Sequence, residues 1–170
     1  MPRIHVCPLS KLSETARACR AQSLVTLIDG GTPVKRPEGI AAEKHLALVL
    51  SDISVATAGH QLASESHIQK LLAFVRGWDQ SAPLLIHCIA GVSRSTAAAY
   101  IAACALLPHR GESELALALR KNSPTATPNP RLIALADGIL QRKGRMIAAI
   151  AVIGRGADCC EGVPFALELR

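Results

Sequence analysis

The chemistry in this sequence is concentrated where five residues separate a cysteine from an arginine. The segment reads HCIAGVSRS, from His87 to Ser95, with the cysteine at position 88 and the arginine at position 94. Five intervening residues can fold into a cradle whose backbone N–H groups point inward, and Gly91 has the conformational freedom that such a turn requires. The composition of the chain gives about 0.002 chance matches to this pattern, so the pattern is specific.

An anion with three or more oxygens fits such a cradle. The helix expected to begin near Arg94 adds its N-terminal donors and dipole, and the Arg94 guanidinium can hold two of the oxygens. The same field favours a thiolate at Cys88, which would make Cys88 a nucleophile. The Ser95 hydroxyl can donate to that thiolate when it leaves. The alternative interpretation is a buried cysteine at a strand end beside a surface arginine.

The elements predicted on either side of this segment are strands that alternate with helices. Apolar runs predict strands at residues 3–7, 23–28, 45–50 and 82–87, the third of them buried. Helices are expected at about 10–20, 64–78, 94–107, 112–121, 131–140 and 145–153. Ser10 is the expected cap of the first helix, and the tail from Gly154 reads as a peripheral loop. This alternation predicts an α/β fold with a central, mainly parallel sheet of about four or five strands flanked by helices. Asp52 and Cys88 both follow strands, where such sheets bind ligands.

Length and composition favour one domain spanning residues 1–170. The chain is 49% apolar with a net charge of +6, which argues against disorder. No apolar stretch reaches the roughly 18–20 residues that span a membrane. The start of the chain does not read as a secretion signal, and the cysteines have no zinc or disulfide spacing. We therefore expect a cytoplasmic protein with small buried cysteines, no metal and no cofactor.

The excess of basic residues favours anionic ligands. Nineteen Lys and Arg stand against thirteen Asp and Glu, and they are scattered rather than grouped. A solvated surface is one interpretation, and attraction of phosphates is the other. No basic helix, finger or aromatic platform indicates nucleic acid, so we do not expect it as a partner.

The segment HCIAGVSRS resembles the signature loop of the cysteine-based protein tyrosine and dual-specificity phosphatases. Two longer segments, APLLIHCIAGVSRSTAAAYIAA and SPTATPNPRLIALADGIL, extend the resemblance, and from Val6 onward the chain is similar to small bacterial members of that superfamily. The resemblance implies a central, mainly parallel sheet flanked by helices. It also implies two-step hydrolysis of phosphate monoesters through a phosphocysteine. The implied partner is a phosphorylated protein, carrying phosphotyrosine first and phosphoserine or phosphothreonine second, or a small phosphate ester.

The resemblance also assigns roles to single residues. Cys88 would be the nucleophile, Ser95 would assist departure of the thiolate, and His87 would orient and tune the cysteine. Arg94 would bind the phosphate together with the loop backbone, that is Ile89, Ala90, Gly91, Val92, Ser93 and Arg94 itself. Asn129 would support the loop, its alternative being an ordinary turn residue.

The leaving group of a phosphate ester needs a proton donor near the loop. Asp52 is the leading candidate, because it ends an apolar strand 36 residues before Cys88, a spacing similar to that of the dual-specificity subgroup. Asp29, after the second strand, and Asp79, before the cysteine strand, are its rivals. Asp52 could instead be a simple strand-end cap.

Other functions remain open on the sequence. Low-molecular-weight phosphatases and some arsenate reductases carry the same Cys-to-Arg spacing near the N terminus, and in those phosphatases the acid lies downstream, where this chain has Asp137 and Asp158. The mid-chain position of Cys88 argues against that arrangement. Further alternatives are a phosphatase acting on a non-protein ester, a weak phosphate-binding module, and sulfur transfer.

The scarcity of aromatic residues bears on substrate recognition. The chain has four, three of them on predicted helices: Phe74, Trp78, Tyr100 and Phe165. Recognition of a phenyl ring would therefore be mostly aliphatic or shallow.

Overall fold

The computed structural model describes residues 2–170, and its centre is a five-stranded sheet of order β3-β2-β4-β1-β5. The strands are β1 (Arg3–Pro8), β2 (Ser23–Ile28), β3 (His45–Val49), β4 (Leu84–Cys88) and β5 (Phe165–Glu168). The first four pair in parallel, and β5 runs antiparallel to β1. The predicted α/β fold with a mainly parallel sheet is confirmed.

Six helices cover the two faces of this sheet. They are α1 (Leu12–Cys19), α2 (Glu65–Gly77), α3 (Arg94–Leu106), α4 (Glu112–Asn122), α5 (Pro130–Ile139) and α6 (Arg145–Ile153). Each lies within about two residues of its predicted bounds. Short 3-10 turns occupy Leu9–Lys11 and Ala42–Lys44. Helix α1 packs on one face, and the other helices contribute to a larger core on the opposite face.

The middle of the molecule is built from small and aliphatic side chains around β4 and α3. All five residues of β4 are buried, and α3 is buried from Arg94 to Cys104. Alanine allows this close approach because its side chain projects little from the helix surface and has no rotamer entropy to lose. The strand that ends at Cys88 and the helix that begins at Arg94 are therefore both held in a well-packed interior.

Both edges of the sheet differ from the sequence-based expectation. Strand β3 is an edge strand, with Ala47 exposed and the side chain of Val49 half exposed, so the prediction of a buried strand was wrong. The tail, predicted as loop, contains β5, which buries Leu167 against the core. A strand of four residues is too short for its alternation to stand out from chance.

Two smaller expectations also fail. Ser10 does not cap α1; its hydroxyl donates instead to the Glu161 carboxylate, 2.8 Å away. Cys159 and Cys160 are exposed rather than buried, whereas Cys7 and Cys104 lie in the interior as expected. No helix within residues 2–170 has the length and apolar character needed to cross a membrane.

Candidate active site

The carboxyl ends of three neighbouring strands bring the candidate residues together. Cys88 ends β4, Asp29 follows β2, and Asp52 lies three residues beyond β3. Because β3, β2 and β4 are adjacent and parallel, these residues meet at one edge of the sheet. They line a cleft of about 430 Å³ together with residues of the loop, Ile89, Ala90, Val92, Ser93 and Arg94, and with Cys159.

The loop between Cys88 and Arg94 depends on a glycine for its shape. Gly91 has φ +68°, and a Cβ placed there would stand 2.7 Å from the backbone nitrogen of Pro8. Neither the dihedral angle nor the contact admits another residue without strain. The Leu9 N–H also donates to the Ile89 carbonyl at 3.0 Å, which ties the loop to the end of β1.

Cys88 is buried beneath the loop, with 2% of its surface exposed. Its Sγ lies 3.1 Å from the Ser95 Oγ, a contact in which either atom could be the donor. Ser95 lies in the first turn of α3, so its contact with Cys88 places the thiol near the N-terminal end of that helix, where backbone N–H groups and the helix dipole favour negative charge. A thiolate at this position would therefore be stabilised by the helix and by the Ser95 hydroxyl.

Arg94 is held in place by a carboxylate and a backbone carbonyl. Its Nη1 donates to the Asp29 Oδ2 at 2.9 Å and to the Leu50 carbonyl at 2.8 Å. Its Nε is buried and has no hydrogen-bond partner among residues 2–170. Partial burial acts to raise the pKa of Asp29, but hydrogen bonds from Ser51 and Arg94 and the charge of Arg94 hold that pKa below its ordinary value. Asp29 was predicted as a rival acid; the structure instead pairs it with the arginine.

Asp52 is fixed by two donors on the same carboxylate oxygen. The Ser93 Oγ donates to the Asp52 Oδ1 at 2.7 Å, and the Asn129 Nδ2 donates to that oxygen at 2.9 Å. Asn129 also donates to the Ile53 carbonyl at 3.2 Å. Neither donor contacts the second carboxylate oxygen, and the Asp52 side chain lines the cleft. This arrangement holds the carboxylate beside the loop.

Asn129 connects three parts of the site. Its Oδ1 accepts from the Arg131 and Leu132 N–H groups and so caps α5, while its own N–H donates to the Ser93 carbonyl at 3.2 Å. The sequence predicted support of the cysteine loop by Asn129. The structure shows this contact through the backbone and adds the side-chain contact to Asp52.

His87 lies behind Cys88 and is fully buried. Its Nδ1 is 3.3 Å from the Cys88 carbonyl, and its Nε2 is 2.8 Å from the Thr26 Oγ1. Burial lowers the pKa of His87 to about 4, an effect that the hydrogen bond to the Cys88 carbonyl partly opposes. The imidazole is therefore neutral at pH 7.

The remaining aspartates have roles elsewhere. Asp79 accepts from the N–H and hydroxyl of Ser81. Asp137 accepts from backbone N–H groups at the start of α6, and Asp158 pairs with Arg155. None of these three carboxylates lines the cleft. Within residues 2–170 no group of three or more metal-ligating side chains is found.

A wall of the cleft comes from the segment between α6 and β5, residues 154–164, which we call the tail segment. The Gly162 N–H donates to the Ala90 carbonyl at 2.8 Å, and a Cβ on Gly162 would stand 2.8 Å from the Gly91 carbonyl oxygen. Cys159 lies in this segment and lines the cleft. The sequence carried no signal for this contact, because it joins residues about 70 positions apart without a local pattern.

Aromatic side chains do not line the cleft. Trp78 and Tyr100 are buried in the core, and Phe74 and Phe165 pack against it. The expectation of an aliphatic or shallow recognition surface stays a prediction.

Comparison of structures finds similar proteins among the tyrosine and dual-specificity phosphatases. Human DUSP28 matches with a TM-score of 0.63 at 16% identity, covering 82% of this chain and 94% of that chain. The Cydia pomonella PTP-2 phosphatase matches with a TM-score of 0.62 at 20% identity, covering 79% and 84%. A mouse putative dual-specificity phosphatase, solved with zinc tungstate, matches with a TM-score of 0.56 at 22% identity, covering 84% of each chain.

Sequence searches found no matching family model and no matching curated protein. The structural likeness therefore stands on the arrangement of strands and helices. It confirms at the level of the fold the resemblance that the cysteine loop suggested.

Proposed function

We propose that this chain is a cysteine-dependent phosphatase that hydrolyses phosphate monoesters through a covalent intermediate on Cys88. The observation that carries the proposal is the meeting of Cys88, Arg94 and Asp52 in one cleft with the loop that joins Cys88 to Arg94. A nucleophile, a cation for the phosphate and a carboxylic acid are the three groups that the reaction needs. The fold of the structural neighbours supports the same reading.

In the first step the Cys88 thiolate attacks phosphorus. A sulfur–phosphorus bond forms while the bond from phosphorus to the ester oxygen breaks. Protonated Asp52 gives its proton to that departing oxygen, so an alcohol or phenol leaves. The loop N–H groups and Arg94 bind the phosphoryl oxygens, and a phosphate oxygen would supply the partner that the buried Nε of Arg94 lacks.

In the second step water hydrolyses the phosphocysteine. Asp52, now a carboxylate, takes a proton from the attacking water, a new oxygen–phosphorus bond forms, and the sulfur–phosphorus bond breaks. The electron pair returns to the Cys88 sulfur, where the Ser95 hydroxyl at 3.1 Å can donate to the thiolate. Ser93 and Asn129 hold Asp52 near the loop in both steps.

For the substrate, we infer a phosphorylated protein side chain, phosphotyrosine first. Ile89, which lines the cleft, is 40% exposed and offers an aliphatic surface that a substrate side chain can contact. A second candidate is a non-protein phosphate ester, favoured by the lack of aromatic side chains along the cleft. Turnover of matched phosphotyrosine, phosphoserine and phosphothreonine peptides, compared with small aliphatic phosphates, separates the two.

The experiment that tests the reaction is turnover of p-nitrophenyl phosphate with a chelator present. Cys88→Ser should abolish turnover, while Cys160→Ser, which removes an exposed thiol outside the cleft, should leave it unchanged. Orthovanadate should inhibit the wild type by occupying the loop. A Cys88→Ser protein that keeps most of its activity would disprove the covalent route.

The role of Asp52 is tested by the leaving group. Asp52→Asn should lower kcat/KM, which reports the first step, about a hundredfold for phenyl phosphate and have much less effect on kcat/KM for esters of acidic phenols, which leave without a proton. Asp79→Asn is the control, because Asp79 lies in a solvated turn. An equal loss on good and poor leaving groups would exclude Asp52 as the proton donor.

A further inference from the structure

We propose that Thr26 and His45 are positioning residues that fix the tautomer of His87 and, through it, the orientation of the Cys88 peptide. The inference builds on the proposed function only in taking Cys88 as the nucleophile. Neither Thr26 nor His45 lines the cleft, so they would act through His87 rather than on a substrate.

The three side chains form a continuous line across neighbouring strands. Thr26 on β2 is the cross-strand partner of His87 on β4. The Thr26 Oγ1 lies 2.8 Å from the His87 Nε2 and 2.8 Å from the His45 Nε2, which comes from β3. On its other side the His87 ring reaches the Cys88 carbonyl through Nδ1 at 3.3 Å.

The direction of every hydrogen bond in this line follows from its last member. A carbonyl oxygen only accepts, so the His87 Nδ1 must carry the hydrogen. A neutral ring then has no hydrogen on Nε2, and the Thr26 hydroxyl must donate to that nitrogen. The Thr26 oxygen is left to accept from the Nε2–H of His45. One consistent arrangement thus runs from His45 through Thr26 and His87 to the Cys88 carbonyl.

Because Thr26 and His87 are buried, the loss of one hydrogen bond in this line affects the others. His87 is fully buried and Thr26 is 2% exposed, so water does not replace a lost partner at either group. The lowered pKa of His87 keeps the ring neutral at pH 7, with a single N–H to place. Without the Thr26 hydroxyl, the buried Nε2 of His87 has no donor, and only the Cys88 carbonyl still favours the hydrogen on Nδ1. The Nδ1–H tautomer is then less stable, and its hydrogen bond to the Cys88 carbonyl is weaker. The first peptide of the phosphate loop would then be less firmly oriented.

The charged and titratable groups near His45 are few. Burial lowers the pKa of His45, and the charge of Arg36 acts in the same direction. A neutral His45 can still donate through Nε2, so the line persists at neutral pH. His87 itself faces His45 and Arg94 as its charged or titratable neighbours.

The direct test is ¹⁵N NMR of the His87 ring at pH 7 in the wild type and in Thr26→Val. The proposal expects a protonated, pyrrole-type Nδ1 and an unprotonated, pyridine-type Nε2 in the wild type, and a partial shift to the other tautomer in Thr26→Val. The opposite tautomer in the wild type, or an unchanged ring in Thr26→Val, would overturn it. This measurement involves no turnover, so it can succeed or fail independently of the proposed phosphatase activity.

A matched pair of variants tests the consequence for Cys88. Thr26→Val removes the hydroxyl with little change of shape, and Thr26→Ser keeps it. We expect Thr26→Val to lower kcat on an aryl phosphate roughly tenfold and to change the pH profile of Cys88 alkylation, with Thr26→Ser close to wild type. His45→Leu should give a smaller loss, because Thr26 can still donate to His87.

A Thr26→Val protein with wild-type kcat and an unchanged alkylation profile would overturn the proposal. If Thr26→Val does not fold, the proposal is tested by the tautomer of His87 in the wild type and by the kcat of His45→Leu. Alkylation reports on the Cys88 thiol even if no substrate is turned over, which keeps a failure of this inference distinct from a failure of the proposed function.

Discussion

At the scale of single residues, Asp29 and Asp52 occupy the same cleft but have different partners. Asp29 accepts from Arg94, whereas Asp52 accepts from Ser93 and Asn129. Asp29→Asn keeps the size of the side chain and removes the charge that orients the guanidinium. We expect a loss of roughly three- to tenfold in kcat/KM for phosphate esters, since the pair is partly exposed. The loss should be the same for good and poor leaving groups, as measured over a series of aryl phosphates.

A loss that grows with the pKa of the leaving phenol would instead make Asp29 the proton donor and leave Asp52 as a strand-end residue. The two carboxylates are therefore distinguished by one set of substrates. Arg94→Lys is the reference variant for weakened phosphate binding, because it keeps the positive charge but removes the planar guanidinium.

The buried His87 predicts a dependence of stability on pH. Its folded pKa of about 4 lies below the ordinary value of 6.5, so between these values the unfolded chain binds the proton more readily. The free energy of unfolding should fall as the pH drops from about 6.5 towards 4, by roughly 3 kcal/mol from this group. Urea denaturation across this pH range measures the free energy of unfolding, and an NMR titration of the His87 ring measures its pKa. A His87 ring that titrates near 6.5 would contradict the prediction.

The residues of the site differ in how far the sequence could predict them. The motif alone identifies Cys88, Arg94 and Ser95, because these residues lie close together in the sequence at a fixed spacing. The contact of Asp29 with Arg94 and that of Asn129 with Asp52 join residues 65 and 77 positions apart. Such contacts arise from strand order and helix placement, so only the structure could reveal them.

At the scale of elements, the tail segment and the cysteine loop are packed backbone to backbone at Gly162. Gly162→Ala would place a Cβ 2.8 Å from the Gly91 carbonyl oxygen, so one of the two backbones must move. We expect a loss of about 1–3 kcal/mol in stability and a fall in kcat, measured by thermal unfolding and aryl phosphate turnover.

Gly138→Ala in α5 is the matched control, because a Cβ there meets nothing within 4 Å. It should stabilise the helix by about 0.5–1 kcal/mol and leave kcat unchanged. Wild-type kcat in Gly162→Ala would show that the loop does not depend on its contact with the tail segment.

The elements themselves were largely predictable from sequence. Helices such as α2 and α6 carry apolar residues at helical spacing, and β2 and β4 are apolar runs bounded by polar or turn residues. β5 was missed because its pairing with β1 depends on a partner about 160 residues away. β3 was placed correctly, but its edge position depends on the order of strands in the sheet, which local hydrophobicity does not encode.

At the scale of the whole molecule, the last strand stabilises both the core and the site. Leu167 on β5 is 4% exposed and packs into the main core. Leu167→Ala should lower the free energy of unfolding by about 2–4 kcal/mol, whereas Val163→Ala, at a position 78% exposed, should change it little. Urea denaturation gives both values, and similar losses for the two variants would contradict this assignment of β5 to the core.

The pairing of β5 with a single neighbour also has a consequence for motion. A strand that is bonded on one side over four residues is among the elements that open first in local, partial unfolding. When it opens, the tail segment loses its attachment at one end, while β4, α3 and the loop between them remain in the packed interior. The width of the entrance through which an ester reaches Cys88 then depends on the local unfolding of β5. Access to the site would follow temperature and denaturant well below the point at which the fold itself is lost.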